Sequence, residues 1–294
     1  MDLGTLLAAN GGLGYLAIHA LQFGAQPLLA KRCIAPGTPV NSLVLGAESA
    51  KALACVALMK AQGTWRLVMS EWSFRSFVLA AGAPSLTYLL QNLCIQVAYQ
   101  KLDGVVFNIL NQTKMLFTAL FVYVILGRRQ SPLQCLALVL LSVAGLLVSL
   151  SDAADRSASK QGYWTGVCCI LAASALSGLG GAISEWILQR KQRDSFLFSC
   201  EMAVAGCITI LLSRIVSTHP PEQLFNSWTL WTFIPVLTQG WGGIVVGLIA
   251  KTSGSVRKGF AVVVGLLLSC MLKWLVEGEA LSWSVLVAVP LVAA

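Results

Sequence analysis

The chain has 294 residues, 57% of them hydrophobic and only 11% charged, with a mean hydropathy of +0.77. Soluble domains carry about 25% charged residues, so the composition excludes a water-soluble globular domain and points to an all-α polytopic membrane protein. The net charge of +8 is spread over short connections instead of clustering, which argues against a nucleic-acid partner and fits topology signals.

Ten apolar stretches are candidates for transmembrane helices, a crossing needing roughly 20 residues. They cover 3–29, 41–61, 74–99, 104–126, 132–150, 162–188, 195–216, 228–250, 258–276 and 281–294. The last holds only 14 residues, short of a full span, as in a chain cut before its natural end. The N-terminus has no charged n-region followed by an A-x-A site, so no removable signal peptide is expected.

The second span carries Glu48 and Lys51, three residues apart and therefore on one helical face. Residues 63–75, with Trp65, Trp72 and three charges, read as an interfacial connector. The third span turns Tyr88, Gln91, Asn92, Gln96 and Tyr99 to one side. The fourth places Phe107, Asn111, Lys114 and Thr118 on one face, with Asn108 and Gln112 beside it. Charges at the centre of a membrane helix cost about 2.5–3.5 kcal/mol each by insertion scales, so they usually face a partner or a wet cavity. Glu48 and Lys51 can neutralise each other, and the amides can glue helices together. Lys114 has no acid within a turn of it, so its partner must come from elsewhere in the fold or from a ligand.

The sixth span carries Ser174, Ser177, Gly178, Gly181 and Glu185, and the seventh carries Glu201. Glu201 can bind a substrate or pair with Lys51, Lys114 or Lys258. Lys251, Arg257 and Lys258 surround the junction of the eighth and ninth spans. Small-xxx-small pairs at Gly162/Gly166 and Gly243/Gly247 suit close helix packing. Nine cysteines lie mostly in apolar spans without C-x-x-C or His/Cys spacing, so no metal is expected. His19 and His219 are isolated, and nothing resembles an activated nucleophile or a carboxylate dyad, so an enzyme is not expected. Asn10-Gly11-Gly12-Leu13-Gly14 lacks the Gly-Lys-Ser/Thr of a phosphate loop, and Asn111-Gln112-Thr113 sits inside a span, beyond the reach of glycosylation.

With a cytosolic N-terminus, the connections inside hold eleven Lys and Arg (60, 66, 75, 128, 129, 190, 191, 193, 251, 257 and 258). The other side holds seven (31, 32, 101, 156, 160, 214 and 273), which favours both termini in the cytosol. Gly127-Arg128-Arg129-Gln130-Ser131-Pro132 and Gly278-Glu279-Ala280-Leu281-Ser282-Trp283 recur at an offset of 151 residues. This weak repeat divides the chain into 1–151 and 161–294, five helices each, within a single transport domain. An odd number per half inserts the two copies in opposite orientations.

Four stretches carry a resemblance to the nucleotide-sugar transporter family of the drug/metabolite transporter superfamily, in its CMP-sialate/UDP-galactose/UDP-N-acetylglucosamine branch. They are Gly46 through Glu48 to Lys51, Pro84-Ser85 through Tyr88 to Gln91-Asn92, Leu102 through Gln112-Thr113-Lys114 to Gly127-Arg128, and Gly242-Gly243 through Lys251 to Lys258-Gly259-Phe260. Ser177-Gly178 and Glu185 add a fifth. The resemblance implies a ten-helix Golgi or endoplasmic reticulum antiporter of two inverted repeats. It implies import of a nucleotide sugar and return of a nucleoside monophosphate, with no cofactor. Membrane lipid is its other partner, and a homodimer is compatible with it. It also implies that Lys51, Lys114 and Lys258 contact phosphate or anionic sugar, that Tyr88, Gln91 and Asn92 contact base and ribose, and that Glu48, Phe107, Asn108, Asn111 and Ser177 line the same cavity.

The chain departs from the CMP-sialate pattern. Phe107 lacks a tyrosine hydroxyl, and Asn111 stands where a second tyrosine is usual. Ser199, Glu201 and Ala203 replace Asn, Gln and Tyr, and Val246 and Gly247 replace Thr and Ser. Lost hydrogen bonds leave substrate groups unmatched, and an ionised Glu201 would repel a sialate carboxylate. A neutral sugar on UDP is therefore the expected cargo. The alternatives are CMP-sialate, another metabolite or drug exported by the same architecture, and a non-transporting membrane scaffold.

Overall fold

The computed structural model describes residues 12–102, 104–130, 162–216 and 225–278, with isolated positions between 132 and 143. The described residues are helical, with no strand among them. Six helical stretches are long and apolar enough to cross a membrane, among them Val40–Ala61, Tyr163–Gln189 and Ser255–Glu277. The protein is thus a multi-pass membrane protein. The expected spans 132–150 and 281–294, for the most part, and the junction between the halves lie outside the described residues.

The helices are α1 (Leu13–Cys33), α2 (Val40–Ala61), the short α3 (Trp65–Ser70), α4 (Phe74–Lys101), α5 (Gly104–Asn111), α6 (Lys114–Leu126), α7 (Tyr163–Gln189), α8 (Ser195–Val216), α9 (Phe233–Thr252) and α10 (Ser255–Glu277). The connector 63–75 contains α3, where Lys60 lies over the Trp65 ring at 5.7 Å. Ser73 and Ser76 form a reciprocal cap that starts α4. A π-helical turn at Val78–Gly82 then precedes Pro84. Proline offers no N–H to the carbonyl one turn back, and the widened turn absorbs that loss. Asp194 Oδ1 accepts from the N–H groups of Phe196 and Leu197 at 2.9 and 2.8 Å, fixing the start of α8.

The sequence predicts one continuous helix over 104–126, and the structure corrects this. Gln112 and Thr113 interrupt it, so Asn111 and Lys114 end and begin separate helices. The Thr113 and Met115 N–H groups reach only three residues back, to Leu110 and Gln112 carbonyls at 3.1 and 3.2 Å. Thr113 Oγ1 also donates to the Leu110 carbonyl at 2.6 Å. Asn, Gln and Thr in succession offer side-chain bonds that compete with the α ladder, which tightens the turn here.

α7 packs against α4, α5 and α6, while α1 packs against α9 and α10. α2 lies between α8 and α9. Two glycines allow the closest crossings. A Cβ at Gly178 would sit 2.7 Å from the Thr118 backbone nitrogen, and one at Gly240 would sit 2.8 Å from the Ala47 carbonyl oxygen. In lipid, where apolar side chains gain little by leaving their surroundings, such backbone approach is what holds helices together.

Candidate functional site

Two adjoining cavities lie between these helices, of about 360 and 400 Å³. They share Gly181, Val246, Ser255 and Lys258 as common wall. The first is formed by α2, α4, α7, α8, α9 and the start of α10. It brings together Glu48, Lys51, Tyr88, Asn92, Ser199 and Lys258. The second lies between α1, α6, α7 and α10, and gathers Asn111, Lys114, Ser177 and Lys258. Lys258 sits one turn into α10 and faces both. The break between α5 and α6 falls in the wall of the second cavity, between Asn111 and Lys114.

Lys51 is ion-paired with Glu48 at 2.5 Å, one turn away on α2. Lys114 and Lys258 hold no ion pair within 4.0 Å among the described residues. The joined space therefore carries two lysines beyond the Glu48–Lys51 pair. Gly243 and Gly247, read from sequence as a packing pair, border this space on α9. A Cβ at Gly243 would meet Lys51 Cδ at 2.7 Å, and one at Gly247 would meet Ser199 Oγ at 2.5 Å.

Other candidate residues stand apart. Gln91 is partly buried beside the Tyr88–Asn92 face, its Oε1 without a hydrogen-bond partner among the described residues. Phe107 is buried in a core cluster with Ala98, Leu102, Ile170 and Ala173, and stacks on Tyr99 at 4.1 Å between ring centroids. The Asn108 side chain lies outside the described residues. Glu201 is 4% exposed and is held by Arg193, whose Nε donates to Oε2 at 2.8 Å and whose Nη2 donates to Oε1. The Trp72 indole N–H adds a bond at 3.1 Å. Neither Lys51, Lys114 nor Lys258 is thus the basic partner of Glu201. The partner comes from the connection between α7 and α8.

These contacts lie beside the first cavity, whose lining includes Ser85, Phe198 and Met202. Arg193 Nη2 also donates to Ser76 Oγ at 3.4 Å, Ser85 Oγ donates to Met202 Sδ at 3.4 Å, and Ala80 packs with Phe198. α4 and α8 are therefore pinned where α4 begins. Asn92, near its other end, is exposed.

The sequence reading did not single out Ser85, Met202, Gly206 and Thr209. Their signal was present. Ser85 precedes Tyr88 by three, and Ser199, Met202, Gly206 and Thr209 follow one α8 face at steps of three and four.

Residues 40–294 match the nucleotide-sugar transporter family. The chain belongs to the nucleotide-sugar transporter family. The transporter is 39% identical over 288 residues to the UDP-N-acetylglucosamine transporter ROCK1 of Arabidopsis thaliana, covering 95% of this chain and 89% of that one. It is 27% identical to the human UDP-N-acetylglucosamine transporter, covering 80% and 76% of the two chains. To the human UDP-galactose translocator it is 28% identical, covering 92% and 72%. A crystal structure 14% identical in sequence superposes on the transporter with a TM-score of 0.74, covering 95% of this chain and 92% of that one, which shows the shared fold. The family is one of transporters and not of enzymes.

Phe107 offers a sharp test of whether a candidate aromatic serves the site or the core. Phe107→Ala should destabilise the transporter by about 3–5 kcal/mol through the cavity it leaves. Thermal melting in detergent measures the loss. A change in substrate KM with no change in melting would instead place the ring against the cargo.

Proposed function

We propose that the transporter exchanges a UDP-sugar of the UDP-N-acetylglucosamine or UDP-galactose type for the returning nucleoside monophosphate. The UDP-sugar moves into the lumen of the Golgi or endoplasmic reticulum, and both termini lie in the cytosol. The observation that carries this is the charge of the joined cavities: Lys51, Lys114 and Lys258 against Glu48, an excess of two among the described lining residues. A sugar diphosphate diester carries two negative charges. A phosphate monoester carries about −1.5 to −2 at pH 7, so UMP presents nearly the same charge to the same lysines. One site with fixed positive charge therefore suits both ions in turn, and leaves an empty carrier electrostatically disfavoured.

The helix pairings support two inverted halves, 1–151 and 161–294, rocking about this site. Exchanging α1 with α7, α2 with α8, α4 with α9 and α6 with α10 turns the α4–α7 packing into α9–α1. It turns α6–α7 into α10–α1 and α2–α9 into α8–α4, and leaves α2–α8 and α6–α10 as they are. All of these pairs are in contact. A two-fold axis between the halves produces such a pattern, and an odd number of helices per half puts that axis in the membrane plane, with Lys51 and Lys258 contributed by different halves.

Counterflow in proteoliposomes tests the function. Vesicles preloaded with UMP should take up labelled UDP-N-acetylglucosamine or UDP-galactose far faster than empty vesicles, while preloading with GMP should have no effect. Acceleration by CMP alone, or uptake indifferent to any preloaded nucleotide, would sink the reading.

A further inference from the structure

A third cavity, of about 830 Å³, lies where α6 and α9 end and where α1 and α10 begin. Its volume falls within the range of about 300–1,000 Å³ that ligand sites occupy. Arg128, Arg129 and Arg257 line it, and among the described lining residues Glu185 is the one acid. Thr252 and Ser253 add hydroxyl groups. This space shares Val256 as wall with the second lysine-lined cavity, but the transport reading above makes no use of it.

Glu185 is buried, and both its oxygens are engaged. Oε1 accepts from Arg128 Nη1 at 3.1 Å, and Oε2 accepts from the Ser255 backbone N–H at 2.6 Å. Ser255 Oγ in turn donates to the Gly181 carbonyl at 2.9 Å. One carboxylate thus joins the connection after α6, the body of α7 and the first residue of α10, three positions before Lys258. Arg128 is half exposed, at 53%, so part of its guanidinium remains open to the cavity. The Glu185 carboxylate is buried while the guanidinium is half exposed, so another anion reaches the pair from the arginine side. Neither Arg129 nor Arg257 holds an ion pair among the described residues.

We propose that this arginine-lined vestibule is a second phosphate-binding site, where the diphosphate of an incoming nucleotide sugar takes Arg128 from Glu185 and so frees the end of α6 from α7. The inference rests on the exchange function proposed above. Its chemistry is a swap of anions on one guanidinium. The phosphate satisfies Arg128, and Glu185 keeps only the Ser255 N–H at a helix N-terminus, where a carboxylate is favoured. The element released is the end of α6, the helix that begins at Lys114, so capture at the mouth and opening toward the deeper lysines become one event. Arginine suits the capture step because its planar fork grips phosphate oxygens in pairs.

The test uses the full chain in vesicles sorted by orientation, comparing wild type with Arg129→Gln/Arg257→Gln. The KM for UDP-N-acetylglucosamine presented from the vestibule end should rise about tenfold, the low end of what charged clefts add by focusing ions. The KM from the opposite end should stay within experimental error. Wild-type uptake from the vestibule end should fall steeply with added salt, and that of the variant should not. Arg129→Gln alone, with half the charge loss, guards against a double variant that inserts poorly. An equal change of KM from both ends, or none, overturns the vestibule while leaving exchange intact. A loss confined to vesicles containing anionic lipid assigns the arginines to lipid headgroups and overturns it too. Wild-type vesicles that transport no nucleotide sugar would sink the exchange reading itself.

Discussion

Lys258→Ala should reduce nucleotide-sugar exchange to the level of protein-free vesicles while leaving helix content and melting temperature close to wild type. Lys258 is shared by both cavities, so its ammonium is within reach of ligand in either. Removing one partner of a desolvated charge pair costs about 2–5 kcal/mol, which at the lower bound already corresponds to roughly a 30-fold loss. Lys114→Ala should behave in the same way, because it too holds no ion pair among the described residues. Lys51→Ala differs in kind. It strands Glu48, so a loss of stability should accompany the loss of transport. Counterflow rates read beside melting curves separate the cases. Normal exchange in the folded Lys258→Ala or Lys114→Ala protein would remove the basis for an anionic cargo.

Much of this arrangement was legible in the sequence because a bilayer makes polar residues conspicuous. The bounds of α8 were read to the residue, and α2 to within one. In α2 and α4, the faces bearing Lys51, Tyr88 and Asn92 stood out because helical spacing lines them up against an apolar background. Contacts that depend on another segment were harder to read. Glu201 lies two residues after Ser199 and so points away from the cavity stripe. Its partner Arg193 sits in a connection that charge counting had treated as a topology signal. Phe107 shares a helical face with Asn111 and Lys114, but the break at Gln112–Thr113 separates it from them, and it packs with Leu102 and Ile170. That break is local competition between amide side chains and backbone, which an apolarity pattern does not register. α10 began three residues earlier than predicted because Glu185, seventy residues away in sequence, completes its first turn.

Glu201→Ala should lower the melting temperature by roughly 10 °C, taking 3–5 kcal/mol for a broken buried pair and about 2–4 °C for each kcal/mol in a chain of this size. The side chains of Arg193 and Glu201 are 16% and 4% exposed, so the stranded guanidinium would have little water to turn to. Trp72 would lose its acceptor as well. Replacing both partners, as in Arg193→Met/Glu201→Met, should recover a large part of the loss, since an apolar pair of similar volume leaves no uncompensated charge. The double-mutant cycle isolates the coupling between them. A residue that touched sugar would behave in the opposite way: Glu201→Gln would alter the preference between UDP-N-acetylglucosamine and UDP-galactose and leave melting unchanged. The geometry favours the fastening role. Arg193 and Trp72 bring together the connections before α4 and before α8, the two helices that must separate at this end for the first cavity to open there. Weakening the clasp should therefore do more than destabilise. It should shift the balance toward the form open at the α4 start, seen as faster uptake from that end at temperatures where the variant is still folded.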